Sequence, residues 1–130
     1  MNMPSMKRSL HESFDSVLAR IPEALSKEGF GVLTEIDVQA TMKKKLDKDI
    51  RPYRILGACN PALAHRALGV DPEVGVLLPC NVVVYEQENG DTIVSIVDPN
   101  AAIGAFGPPA LKEVASEVSA KLARVLESVA

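Results

Sequence analysis

The C-terminal part of this 130-residue chain carries an almost complete helical stripe, which constrains the fold more than any other feature. Its apolar residues recur at intervals that keep them on one face of an α-helix: Leu111, Val114, Ala115, Val118, Leu122, Val125, Leu126 and Val129. A long helix with one apolar face needs a second layer to cover that face. The rest of the chain must therefore provide an apolar surface against which this helix packs.

The middle of the chain predicts that this second layer is a sheet. Four stretches have the composition of strands: Phe30–Val38, with one face expected to be buried, Pro52–Cys59, Val76–Gln87, interrupted by Pro79, and Thr92–Val97. Asn89-Gly90 lies between the last two, and this dipeptide is the strongest signal for a tight antiparallel hairpin. Lys7–Leu10 is a candidate for a short first strand.

Shorter helices are expected between the strands. Ser13 is placed to cap a helix that ends at Gly29, and Pro22 inside it predicts a kink or a break. Asp37 is placed to cap a short helix carrying Val38, Met42 and Leu46, and Asn60-Pro61 to open another, closed by Gly69.

These elements together predict an α+β two-layer sandwich, with a largely antiparallel sheet, helices on one face and a long C-terminal helix. A doubly wound α/β sheet is the alternative, disfavoured by the late antiparallel hairpin. We expect one domain over residues 1–130, with residues 1–6 as a poorly ordered extension and a loop from Ala101 to Pro109.

Composition excludes several classes of function. The net charge of −3 and the pI near 5.4 argue against a general nucleic-acid binder. No apolar run approaches the roughly 18 residues that a membrane span needs, and no secretory signal is recognisable. We therefore expect a cytoplasmic protein whose two cysteines are free thiols.

Two Cys-Asn dipeptides are the sharpest candidates for chemistry: Cys59-Asn60, at the end of one predicted strand, and Cys80-Asn81, near another. If the strands are neighbours, both thiols lie at one edge of the sheet. Cys59 also precedes a predicted helix N-terminus, which favours a thiolate. The pair could bind a soft metal, attack an electrophile or form a disulfide. It is equally possible from the sequence that both cysteines are buried and serve only as small apolar side chains in the core.

Other polar residues have simpler explanations. Capping accounts for Asn60, whereas Asn81 lies in a predicted strand, where Asn is uncommon. Glu35, Asp37 and Asp98 at strand ends could converge near a thiol, but caps and turns explain the two aspartates better. Lys45 is the candidate cation for an anionic ligand. No closed metal site or cofactor motif is present, so neither metal nor cofactor is expected.

Several blocks of the sequence resemble the family known as domain of unknown function 302. They are ILGACNP at Ile55–Pro61, LLPCNVVV at Leu77–Val84, and the segments GFGVL, EIDV and KKL at Gly29–Leu33, Glu35–Val38 and Lys44–Leu46. The resemblance implies a small α+β domain like one copy of the TATA-binding-protein fold, usually a homodimer. It implies neither DNA binding nor a known activity. Its motif positions here are Glu35, Asp37, Lys45, Cys59, Asn60, Pro61, Cys80, Asn81 and Asp98.

The leading hypothesis from the sequence is a homodimer with a polar pocket near Cys59, Asn60, Cys80 and Asn81 that binds a small molecule or a metal ion. Glu35, Asp37 and Lys45 are expected at its rim, with Asp98 nearby. A thiol redox sensor or enzyme using Cys59 and Cys80 is the second hypothesis. A purely structural dimer with buried cysteines is the third, and whether the chain is an enzyme stays open.

Overall fold

Five strands pair into one antiparallel sheet in the order β1-β5-β4-β3-β2. The computed structural model describes residues 3–103, 105 and 107–130. The strands are β1 (Ser5–Leu10), β2 (Gly31–Asp37), β3 (Tyr53–Cys59), β4 (Cys80–Glu86) and β5 (Thr92–Val97). The Asn-Gly turn joins β4 to β5, and Gly90 there has a φ of +88°. The predicted hairpin is therefore confirmed.

The helices lie between and after the strands. They are α1 (Phe14–Lys27), α2 (Val38–Leu46), α3 (Pro61–Val70), α4 (Pro99–Ala102) and α5 (Pro109–Ser128), with one 3-10 helix over Pro72–Leu77. Val76 and Leu77 belong to this 3-10 helix, so β4 begins at Cys80 rather than at Val76. None of the helices in the described residues is long and apolar enough to cross a membrane.

The core lies between α1, α3 and α5 and one face of the sheet. The predicted stripe of α5 is buried throughout except at Leu126, which is half-buried. Alternate residues of β4, namely Cys80, Val82 and Val84, face the helices and are also buried. Burial of one such aliphatic side chain contributes about 1.5–3 kcal/mol to folding. The predicted α+β sandwich with a long C-terminal helix is thus confirmed.

Pro22 does not break α1, contrary to expectation. The helix runs from Phe14 to Lys27 across Pro22, whose ring is exposed on the solvent side. The single hydrogen bond that Pro22 removes is lost where water can replace it. Both predicted ends of this helix are confirmed, because Ser13 accepts a hydrogen bond from the Ser16 N–H at 3.2 Å and Gly29 has a φ of +84°.

The expectation of a buried face on the Phe30–Val38 strand is wrong. Phe30 is buried, but every residue from Gly31 to Ile36 is exposed. β2 is an edge strand, and the register shifts at Leu33, where a bulge separates Val32 from Thr34. The helix α2 that follows likewise contains no buried residue.

The N-terminal boundary also differs from expectation. Ser5 and Met6 pair with Val97 and Ile96 of β5, so these two residues belong to the sheet and not to an extension. Met1 and Asn2 lie outside the described residues, as do Gly104 and Phe106 of the predicted 101–109 loop. The first two residues of that predicted loop end α4.

Candidate functional site

A cavity of about 270 Å³ lies where the end of β3 meets α3 and α5. Its walls are mainly aliphatic, with Leu63 and Ala67 from α3, Ala115 and Val118 from α5, and Leu33 from the bulge in β2. Cys59, Asn60 and Cys80 complete the lining at the end of the sheet. The site is therefore an apolar cavity with a few polar atoms, rather than the polar pocket expected from the sequence.

The pairing of β3 with β4 brings the two thiols together. Ala58 pairs with Cys80, so Cys59 at the end of β3 and Cys80 at the start of β4 lie at the same end of the sheet. Cys80 is only 6% exposed, whereas Cys59 is half-buried. Both are free thiols and both line the cavity, one accessible and one enclosed.

Burial makes Cys80 a poor nucleophile. Removal from water and, to a smaller extent, the neighbouring Cys59 together raise the pKa of the Cys80 thiol to about 11. At neutral pH, Cys80 is therefore protonated, while nucleophilic attack by cysteine requires the thiolate. Any thiol chemistry in this cavity belongs to Cys59.

Asn60 is held by structural contacts on both ends of its carboxamide. Its Oδ1 accepts a hydrogen bond from the Leu63 N–H at 3.3 Å, which caps α3. Its Nδ2 donates to the backbone carbonyl of Glu28 at 3.3 Å, at the C-terminus of α1. The capping interpretation is confirmed, and the side chain lines the cavity with its polar atoms already engaged.

Asn81 does not join the thiols. Consecutive residues of a strand point to opposite faces of the sheet, so Cys80 faces the helices and Asn81 faces away from them. Asn81 lines a separate groove on the helix-free face. The prediction of a single pocket with two Cys-Asn pairs is therefore wrong for Asn81.

The expected acidic rim is also absent from the cavity wall. Arg54 forms ion pairs with Glu35 at 2.8 Å and with Asp37 at 3.3 Å, across β2 and β3. Asp37 additionally accepts a hydrogen bond from the Ala40 N–H at 2.9 Å and caps α2. Lys45 is exposed on α2 and does not line the cavity.

Asp98 has a capping role like that of Asp37. Its Oδ1 accepts hydrogen bonds from the Asn100 N–H at 3.0 Å and from the Ser119 hydroxyl at 2.9 Å, which ties the start of α4 to α5. The structural interpretation of both aspartates is thus confirmed. Within the described residues, no three His, Cys, Asp or Glu side chains come together as a metal site.

The apolar walls of the cavity were not singled out from the sequence. Small side chains are the signal that could have indicated them, because Ala58, Ala64, Ala67 and Ala115 all lie around the empty space. Alanine is common in cores, however, and its presence alone does not show where packing is incomplete. Only the arrangement of the strands and helices places these four residues together.

The stability of the protein should depend on pH through the buried thiol of Cys80. The pKa of Cys80 rises from its ordinary value near 9 to about 11 on folding, so folding stabilises the protonated thiol. This contribution of roughly 2–3 kcal/mol is fully present below pH 9 and is lost as the pH rises towards 11. Urea unfolding of the native protein and of Cys80→Ala should therefore show a steeper loss of stability for the native chain over this range. If the free energy of unfolding fell equally with pH in the native protein and in Cys80→Ala, the result would contradict a buried, protonated thiol at Cys80.

The comparisons with known proteins agree on one family. The family described as "Domain of unknown function DUF302" matches residues 6–129. The crystal structure of an uncharacterized conserved protein DUF302 from Bacillus stearothermophilus is similar over 99% of this chain and 100% of that chain, with 33% identity and a TM-score of 0.91. No curated protein matches the chain.

Proposed function

Since the chain belongs to the DUF302 family, whose description states no activity, we propose its function from the cavity itself: it binds a small, uncharged, apolar molecule beside Cys59. The observation that carries this proposal is an apolar space of about 270 Å³ inside the described part of the chain. An apolar cavity of about 150 Å³ is already large enough to hold benzene.

The chemistry of the wall favours an uncharged ligand. Among the described residues, no charged side chain lines the cavity, and the carboxamide of Asn60 is held by Leu63 and Glu28. Cys80 remains a neutral thiol at neutral pH because burial raises its pKa. A charged ligand would lose its hydration without gaining a partner, which is strongly unfavourable.

Exposed apolar residues near the cavity support a route of entry for such a ligand. Leu33, which lines the cavity, is 67% exposed at the bulge in β2. Val76 and Leu77 are also exposed, directly before the cavity residues Leu78 and Pro79. Exposed aliphatic side chains beside a cavity support its use as a binding site for an apolar ligand.

The proposal is tested with butylbenzene as the neutral probe and with the Cys59 thiol as the reporter. We expect butylbenzene to slow the reaction of Cys59 with N-ethylmaleimide, because the probe fills the cavity that Cys59 lines. The matched control is 4-butylbenzoate, which has the same hydrocarbon body and a carboxylate, and which should not protect Cys59. An unchanged reaction rate with saturating butylbenzene, or equal protection by both probes, would contradict the proposal.

A redox role for the two cysteines is the second candidate, favoured by their location in one cavity. Closing a disulfide from a mixed disulfide on Cys59 requires attack by Cys80 as a thiolate, which its raised pKa opposes. With oxidised glutathione at neutral pH, we therefore expect one glutathione bound to Cys59 by exchange and one glutathione thiol released. Mass spectrometry that instead showed a rapid Cys59–Cys80 disulfide, with both glutathiones released, would favour the redox role.

We also propose that the chain forms a homodimer through β2. In the described sheet no strand pairs with the outer edge of β2, and its residues Gly31–Ile36 are exposed. The strand carries neither Lys nor Pro, the residues that commonly protect such an edge. Its carboxylates, Glu35 and Asp37, are paired with Arg54, which reduces repulsion between two copies.

The dimer is tested by sedimentation equilibrium. The native chain should sediment with twice its own mass, and Ile36→Lys, which places a charge on β2, should shift it towards the monomer. Leu68→Lys is the matched control, because Leu68 is similarly exposed but lies on α3. A monomeric native chain, or equal dissociation by both variants, would contradict a dimer through β2.

A further inference from the structure

The face of the sheet opposite the helices carries a second groove, with a volume of about 740 Å³. Tyr53, Val83 and Tyr85 line it and are only half-buried, and none of these three belongs to the core formed by the described residues or packs against it. The rings of Tyr53 and Tyr85 stack with their centroids 5.4 Å apart. One side of the groove is thus an apolar and aromatic surface on β3 and β4.

Polar side chains form the other side of the groove, and the strand register shows how they are arranged. Val83 pairs with Ser95, and Ser95 pairs with Lys7, so these three residues form a row across β4, β5 and β1. Asn81 lies two residues before Val83 on the same face. Given the usual spacing between strands, the polar row therefore begins at Ser95, about 5 Å from Val83, and reaches Lys7 about 10 Å from Val83.

The charge of the groove has one sign. Among the residues that line it, Lys7 alone is charged, and no ion pair to Lys7 occurs within the described part of the chain. The side chains of Asn81 and Ser95 likewise form no hydrogen bond to another described residue. A cation, an amide and a hydroxyl without intramolecular partners are the groups that recognise a carboxylate.

From this arrangement we infer that the helix-free face binds an amphipathic carboxylate. Its carboxylate pairs with Lys7 and accepts hydrogen bonds from Ser95 and Asn81, while its hydrocarbon or aryl part covers Val83 and the stacked tyrosines. This site is separate from the cavity beside Cys59, because Asn81 and Cys80 point to opposite faces of the sheet. The two sites therefore differ in the charge of the ligand that they accept.

The inference is tested by calorimetric titration with 4-butylbenzoate at low ionic strength. Lys7→Gln should weaken binding about tenfold or more, Lys7→Arg should retain it, and added salt should weaken it for the native chain. Lys112→Gln is the matched control, since Lys112 is an exposed lysine on α5. An excess of butylbenzene should not displace 4-butylbenzoate.

Three results would overturn the inference. The first is undetectable binding of 4-butylbenzoate or unchanged affinity in Lys7→Gln. The second is competition by butylbenzene, which would assign both probes to the cavity beside Cys59. The third is conversion of a native dimer to a monomer by Val83→Asp, with the fold retained by circular dichroism, because this face would then be an interface between subunits.

Discussion

Ala115→Leu is expected to abolish binding of butylbenzene while the protein remains folded. Ala115 is 2% exposed on α5 and lines the cavity, so a larger side chain there occupies the space that the ligand needs. The affinity of Ala115→Leu for butylbenzene should be lower than that of the native protein by at least about tenfold. Stability should change by less than about 1–3 kcal/mol, the usual cost of overpacking, because the added carbons enter a void.

The matched control for this variant is Ala120→Leu. Ala120 lies on the same helix but is exposed, so the same substitution adds volume on the solvent side. Calorimetry with butylbenzene and urea unfolding should be carried out on both variants. Native affinity in Ala115→Leu, with the fold intact, would mean that the probe binds elsewhere.

Gly57→Ala is expected to have the largest effect on stability, because β3 has no room for a side chain at this position. A Cβ on Gly57 would collide with the Thr34 hydroxyl and would lie 2.7 Å from Cγ of Pro79. Thr34 is short and β-branched, and the proline ring is rigid, so neither can turn aside freely. The free energy of unfolding should fall by about 1–3 kcal/mol.

The same substitution should also alter the cavity, since Pro79 is part of its wall and precedes Cys80. We expect faster reaction of Cys80 with N-ethylmaleimide when Pro79 is displaced. Gly31→Ala is the matched control, because a Cβ at this glycine of β2 would meet no atom within 4 Å. Equal stability of the two variants in urea would contradict the close packing around Gly57.

Most of the fold could be predicted because short-range signals agree with the tertiary structure. The stripe from Leu111 to Val129, the Asn89-Gly90 turn and the caps at Ser13, Asp37 and Asn60 each depend on residues close in sequence. The exposure of β2 could not be predicted from residues close in sequence. Whether an amphipathic strand is covered depends on where it lies in the sheet, and β2 lies at an edge.

The candidate site could be predicted only in part. The meeting of Cys59 and Cys80 followed from the idea that the ends of neighbouring strands lie together, and the pairing of Ala58 with Cys80 has that effect. Side chains alternate between the two faces of a strand, so the alternation that buries Cys80 turns Asn81 to the other face. The prediction from the two Cys-Asn dipeptides did not consider this alternation. The cavity itself depends on side-chain volume missing between elements far apart in sequence, for which no local pattern exists.

Polar residues at strand ends were the least reliable indicators of function. Asp37, Asn60 and Asp98 all cap helices, and each does so with a side-chain oxygen that accepts a backbone N–H. Such residues are needed wherever a strand leads directly into a helix, as happens three times in the described part of the chain. Their positions at the ends of β2, β3 and β5 therefore reflect the connections between strands and helices.

The apolar cavity beside Cys59 is tested most directly by a proton–carbon methyl spectrum recorded with and without butylbenzene. A bound probe should shift the methyl signals of Leu63, Ala67 and Val118, which line the cavity, and leave those of Val83 and Val97 on the opposite face unchanged. No shifts at saturating probe, or shifts spread equally over both faces, would contradict a ligand-binding cavity between the sheet and its helices.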